Sequence, residues 1–235
     1  MSSTLTPDDA QEAHIVDRIY EAVIDQRLAP GAKLSEASLC TAFGVGRMRI
    51  RRCLLILASR EVVQLQPNRG AYVAQPSAQQ AREVFEARLA IEPSLARAVA
   101  QRLRRADANM LAGLLRKESQ AHVAGNRREA IRLSGQFHVA LAEVAGNSVL
   151  LRIVKDLVTR SSLIIGMYGD PGFTNCRDDD HSAIVAALDA GDGATAEALM
   201  RDHLSHITEH LHLERQVVGS TDLVSLFGDL AAKVK

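Results

Sequence analysis

The chain is short of aromatic residues: it has no Trp, three Tyr and five Phe, about 3% of its 235 positions. Strands of sandwiches and barrels favour aromatic and β-branched side chains, so this scarcity speaks against an all-β fold and for helices packed through Leu, Ala, Ile and Val. Net charge is missing too, with 28 basic residues set against 28 acidic ones. A uniformly basic nucleic-acid-binding protein is thereby excluded, and any such function must rest on local charge. The apolar stretches around 54–58 and 163–165 are far shorter than the roughly 18–20 residues that span a bilayer. Residues 1–11 are polar and carry Asp8 and Asp9, unlike a signal peptide. Three cysteines (Cys40, Cys53, Cys176) form no CxxC pair, as befits free thiols in a reducing compartment. These absences together predict a cytoplasmic protein with no membrane partner.

What is present is 47% apolar and 24% charged residues, enough for a packed globular fold. The pattern predicts a mainly α protein in two parts, residues 1–76 and 77–235. In the first part a helix is predicted over 8–28, with Ile15, Ile19, Val23 and Leu28 at helical spacing and Pro30-Gly31 as its stop. Ser35 offers an N-cap to a short helix ending near Phe43, Gly44-Val45-Gly46 makes a tight turn, and a third helix runs from Arg47 to Ser59. The period then changes. Val62, Val63 and Leu65 before Pro67–Gly70, with Tyr72 and Val73 after, predict two strands and a short turn. Beyond residue 78 only helices are expected, over about 78–105, 107–124, 127–145, 148–167, 178–190 and 193–217, with one more amphipathic turn in 221–235.

Helix, helix, tight turn, helix, two-stranded ribbon is the order of a winged helix-turn-helix, whose recognition helix enters the major groove. Here that helix opens Arg47-Met48-Arg49-Ile50-Arg51-Arg52, and Ile50, Leu54 and Leu57 form its buried stripe. Between Gly46 and Arg60 stand five arginines and no acidic residue, a local charge of about +5 inside a neutral chain. The arginine fork suits bidentate contacts to guanine or phosphate. Arg69, at the tip of the ribbon, is placed to reach a phosphate or the minor groove.

Seven of the eight histidines lie in the helical part, and His138, His181 and His203 each sit beside an apolar stripe on a different helix. Imidazoles from separate helices can converge on a transition metal within a bundle, although such histidines are also common as hydrogen-bonded core residues. His206 and His210 follow His203 on one helix face, where they either extend that site or are solvated or capping groups. The acidic run at 178–180 suits a helix start.

Residues 14–76 resemble the DNA-binding module of GntR-type transcriptional regulators, through the segments LAPGAKLSE, FGVGR and RGAYV. The resemblance implies operator contacts by Arg47 and Arg51, with Arg69 and Gly70 in the wing. Three departures stand out: Gly46 replaces a usual Ser or Thr, Met48-Arg49 a usual Thr-Pro, and Arg52 a usual Glu. The added Arg49 and Arg52 are expected to strengthen phosphate contacts. Leu55 and Ile56, where basic residues are frequent, are expected to pack on another domain or protomer.

The helical part, through VFEARLAIEPSLARAVAQR, QFHVALAEVAGN, DDDHSAIVAAL and LMRDHLSHI, resembles the FCD effector domain of the FadR subfamily. That resemblance implies a homodimer, a small carboxylate effector and a divalent metal held by one Asp and three His. His138, His181 and His203 match the histidines, while Ser134 stands where the aspartate is expected. Losing a hard oxygen ligand favours Zn²⁺ or Ni²⁺. Arg88 matches a cavity arginine that would pair with the effector carboxylate, or else it makes an i,i+4 salt bridge with Glu92. The function implied is a DNA-binding transcriptional regulator of repressor type. A metal-dependent enzyme built on three histidines, or a regulator whose bundle only dimerises, are the alternatives.

Overall fold

The computed structural model describes residues 7–24, 27–169 and 180–213. These residues are mainly helical and fall into two compact units that divide between Gln75 and Pro76. The predicted tail helix in 221–235 lies outside the described residues. No helix among the described residues is long and apolar enough to cross a membrane.

In the first unit α1 (Pro7–Ile24) buries Ile15, Ile19 and Val23 against α3 (Arg47–Ser59), whose own stripe is Ile50, Cys53, Leu54 and Leu57. Between them, α2 (Glu36–Phe43) begins at Ser35, whose hydroxyl accepts from Ser38 N at 3.3 Å. It ends at Gly44, which takes the left-handed conformation (φ 65°) that lets the chain reverse into α3. The sheet has three strands rather than the two predicted: β1 (Lys33–Leu34), β2 (Val63–Gln66) and β3 (Gly70–Val73), antiparallel in the order β1-β3-β2. Leu34 pairs with Ala71 and Val63 with Val73. Leu28, predicted inside the first helix, lies beyond its described end and is fully buried.

The second unit is a bundle of α4 (Ala78–Ala100), α5 (Arg105–Val123), α6 (Arg127–Val144), α7 (Ser148–Tyr168), α8 (Asp180–Asp189) and α9 (Gly193–Glu209). Phe137, Leu111, Val154, Ile184 and Met200 meet in its core. Two helices stop earlier than predicted. At the end of α4, Arg102 turns back on terminal carbonyls, donating from Nε to Ala98 O at 3.2 Å and from Nη1 to Ala145 O at 3.1 Å. After α9 the chain turns to pair with the end of α7, His212 N donating to Tyr168 O at 2.8 Å. The helices α6 and α7 approach closely at Gly135, where a Cβ would lie 3.0 Å from Val158 Cγ1.

A capping box starts α4: Ser77 Oγ accepts from Gln80 N at 3.2 Å, and Gln80 Oε1 accepts from Ser77 N at 2.9 Å. Ser77→Ala is expected to lower stability by about 1 kcal/mol, read as a lower midpoint in urea with an unchanged denaturant slope.

Candidate functional site

Two groups of residues carry chemistry, one in each unit. In the first unit, burial of Ile50, Leu54 and Leu57 turns the opposite face of α3 outward. Arg47 and Arg51, one turn apart, are exposed on the flank of the buried stripe, Arg52 is exposed further round, and Arg49 is half-buried. The wing tip is a tight turn, Arg69 N donating to Gln66 O at 3.1 Å, with Asn68 (φ 59°) and Gly70 (φ 96°) in left-handed conformations. Tyr72 Oη donates to Arg69 O at 3.2 Å and pins the tip, leaving the Arg69 side chain exposed.

The five arginines are not equivalent. Arg51 Nε donates to both carboxylate oxygens of Glu36, at 3.0 and 3.1 Å, and this contact raises its pKa further. Arg52 Nε donates to Glu12 Oε1 on α1 at 2.7 Å, with Nη2 on the same oxygen. Arg49 Nε lies 3.9 Å from that oxygen, and Arg49 Nη1 donates to Gln11 Oε1. Among the described residues no carboxylate pairs with Arg47 or Arg69. The two arginines added relative to the family pattern therefore tie α3 to α1. Leu55 and Ile56 are exposed by 58% and 37%, so the expected packing against them is not met among the described residues.

The second group is fully internal. His138 comes from α6, His181 from α8 and His203 from α9, each at most 4% exposed. They converge by their Nε2 atoms: His203 Nε2 lies 3.2 Å from His138 Nε2 and 3.1 Å from His181 Nε2. Each Nδ1 lies close to a carboxylate, within a hydrogen bond at His181 and His203 and as a short ion-pair contact outside hydrogen-bond geometry at His138. Glu118 Oε2 on α5 is 2.8 Å from His181 Nδ1, Glu92 Oε2 on α4 is 2.6 Å from His138 Nδ1, and Asp180 Oδ2 is 3.3 Å from His203 Nδ1. The Phe137 ring packs 4.2 Å from the His181 ring, centroid to centroid.

A carboxylate only accepts, so its Nδ1 partner carries the hydrogen and Nε2 presents its lone pair. Three lone pairs then face one point. The site favours neutral rings: burial pushes His138 down to about 4, against the pull of Glu92. Burial and the charge of His181 hold His203 well below its usual value. Burial alone would raise the Glu92 carboxyl, but the Arg88 guanidinium and His138 outweigh it and keep Glu92 ionised. Metal–imidazole bonds of about 2.0–2.1 Å place cis nitrogens roughly 2.9–3.4 Å apart. The observed Nε2 separations fall in that range, so His138, His181 and His203 fit a divalent transition ion.

Arg88 makes the salt bridge that was weighed against effector binding. Its Nε and Nη2 donate to Glu92 at 2.5 and 3.2 Å, and its Nη1 donates to Ser161 Oγ on α7 at 2.9 Å. Ser134 is buried one turn before His138. His210 Nδ1 lies 2.9 Å from His206 O and the two rings are tilted at 59° with centroids 4.3 Å apart, so this pair closes the end of α9 and is not among the three converging histidines. Glu118 and Asp180 were not singled out in the sequence. A signal existed for Glu118, which falls seven residues after Leu111 on the buried face of α5.

Known proteins share both units. The family model of the FCD domain matches residues 83–206, and that of bacterial regulatory proteins of the gntR family matches residues 11–73. The HTH-type transcriptional repressor RspR of Escherichia coli is 26% identical over 219 residues, 92% of this chain and 95% of its own length. LutR of Bacillus subtilis, an HTH-type transcriptional regulator, is 25% identical over 206 residues, 78% of this chain and 93% of its own. Among solved structures, Escherichia coli McbR/YncC superposes with a TM-score of 0.75 at 19% identity, covering 85% of this chain and 95% of that one. A putative GntR regulator from a Rhodococcus species gives 0.74 at 23% identity, covering 85% and 98%.

Proposed function

The chain belongs to the GntR family of transcriptional regulators, with a DNA-binding module and an FCD domain, and on that premise we propose that it is a homodimeric repressor whose operator binding answers to a small carboxylate bound at the histidine centre. The observation that carries the DNA half of this reading is the exposed arginine face of α3 beside the wing. A dimer would set two such helices into successive major grooves of a pseudo-palindromic site. Arg47 and Arg51 would read bases, and Arg69 with Gly70 would approach the backbone from the wing. Arg49 and Arg52 would keep α3 seated on α1 and add to phosphate contacts only when released from Glu12.

In the bundle, His138, His181 and His203 would hold Zn²⁺ or Ni²⁺, leaving coordination positions open. A metal at this point supplies a Lewis-acidic anchor for a carboxylate oxygen. Around it, Arg88 orients Glu92, Glu92 orients His138, and the apolar walls exclude water. An anionic effector would draw the Arg88 guanidinium away from Glu92, or share it, and so couple ligand binding to α4. RspR is named a repressor and matches across both units, which supports the same sign of control here.

Band-shift or anisotropy titration with DNA from around the protein's own gene tests the reading, with a thermal-shift screen of small carboxylates in the presence and absence of Zn²⁺ or Ni²⁺. Specific binding that a metal-dependent carboxylate weakens is expected. Failure of every promoter fragment to compete better than random DNA would overturn it.

The Glu12 contacts give a second, independent prediction. Glu12→Gln removes the negative charge that faces Arg52 and Arg49, so non-specific DNA affinity should rise. The slope of log affinity against log salt should steepen by up to about 2, near 0.9 per added phosphate contact. Stability should fall by less than about 1 kcal/mol, because Arg52 is half exposed.

A further inference from the structure

We propose that Glu118 is the positioning residue of the histidine centre: it sets the His181 tautomer from α5, a helix that supplies none of the three histidines, and thereby governs how tightly the centre takes a divalent metal. This inference rests on the metal reading above. Its ground is geometric. Glu118 Oε2 is 2.8 Å from His181 Nδ1, and the two side chains are only 6% and 4% exposed. The other two carboxylates are less suited to the task. Glu92 is shared between His138 and the close, two-pronged Arg88 fork, whereas Glu118 Oε1 makes only a longer ion-pair contact with His122 Nε2, at 3.9 Å. Asp180 is longer, at 3.3 Å, and its side chain is 19% exposed.

The alternative state of His181 shows why this matters. With its hydrogen on Nε2, the ring would donate to His203 Nε2, which lies 3.1 Å away. That hydrogen bond pairs the two Nε2 atoms without a metal and closes the centre, but it sets the His181 Nδ1 lone pair against the Glu118 carboxylate. With its hydrogen on Nδ1, held by Glu118, the same 3.1 Å contact sets two lone pairs against each other, an arrangement that a cation relieves. Glu118 thus biases the pair toward the metal-accepting form. A carboxylate on the far nitrogen also makes the ligating nitrogen more basic. Ser134, the residue one turn before His138, carries no carboxylate, which leaves outer carboxylates to supply the anionic surroundings that a directly ligating aspartate would have brought.

Two measurements on the full chain test this, with Glu118→Ala and Glu118→Gln as variants. Competition of Zn²⁺ and Co²⁺ against a chromophoric chelator reads affinity, and ¹⁵N shifts of labelled imidazoles read the His181 tautomer without metal. Glu118→Ala should weaken metal binding by about 10- to 100-fold, and the His181 hydrogen should move to Nε2. Glu118→Gln, whose amide oxygen still accepts from Nδ1, should restore the tautomer and part of the affinity. If Glu118→Ala does not fold, Glu118→Leu fills the space while removing the acceptor. Wild-type affinity in a folded variant lacking the acceptor would overturn the role of Glu118, as would a wild-type His181 carrying its hydrogen on Nε2. Absence of metal binding by the wild type would instead overturn the metal reading beneath it.

Discussion

Replacing Arg47 and Arg51 together by alanine should remove specific operator binding while leaving the fold intact. Both side chains are exposed on α3, one turn apart on the flank of the stripe of Ile50, Leu54 and Leu57. A bidentate contact to a base is worth about 1–3 kcal/mol of discrimination. Two of them together correspond to a loss of roughly 30- to 10⁴-fold in affinity for the operator. Binding to random DNA should fall far less, because Arg60 and Arg69 remain. The stability cost is confined to the surface pair of Arg51 with Glu36, which water and salt screen. Anisotropy titrations with operator and random DNA at several salt concentrations, beside a urea melt, separate these effects. Operator affinity equal to wild type would place the reading face elsewhere.

The contrast with Arg49 and Arg52 shows where reading from the chain alone stops. A count of charges along α3 makes its four arginines alike. The packing of α1 on α3 brings Glu12 to within hydrogen-bonding distance of Arg52, forty residues away, and that pairing leaves no periodic trace. The boundaries of α3 itself were legible, because an apolar stripe at helical period lies between a glycine turn and a change to strand alternation. So were the Ser35 cap and the Gly44 turn. Strand β1, only Lys33 and Leu34, was not: two residues cannot display an alternation, and they become a strand by pairing with β3. The early end of α4 depends on Arg102 reaching Ala145 on another helix, again a tertiary effect.

The histidine centre divides in the same way. His138, His181 and His203 were visible because each interrupts an apolar stripe, and the structure brings them together. Their carboxylate partners come from three different helices. Glu92 was considered only as an Arg88 partner and the run containing Asp180 only as a helix start. Only the fold joins them to the imidazoles. Arg88 shows the converse: the short-range option, a bridge to Glu92 one turn away, is the contact it makes. An effector-binding role for it must therefore compete with a buried, bidentate ion pair.

His203→Ala is the change expected to damage the centre most. His203 Nε2 is the nitrogen close to both others, at 3.2 Å from His138 and 3.1 Å from His181, so its loss leaves two ligands on separate helices without the one between them. Metal affinity should drop by more than the roughly 10- to 100-fold that an outer partner costs. For the wild type, free metal at a hundred times its dissociation constant stabilises the fold by about 2.7 kcal/mol. In a chain of this size that raises the melting midpoint by roughly 5–10 °C. The variant should show no such rise. Without metal the effect of the substitution is smaller and mixed in sign. Alanine leaves a small cavity beside the His138 and His181 rings but removes a desolvated ring whose Nε2 lone pair faces two others. The metal-dependent shift, rather than the melting temperature itself, is therefore the discriminating measurement, taken by calorimetry on chelator-treated and reloaded protein. Ser134→Asp supplies the opposite arm. An oxygen ligand one turn before His138 should tighten binding and move preference away from Zn²⁺ toward ions that favour mixed oxygen and nitrogen coordination. A metal-induced shift that survives in His203→Ala would show that the ion sits elsewhere, and the convergence of the three imidazoles would then be a feature of packing.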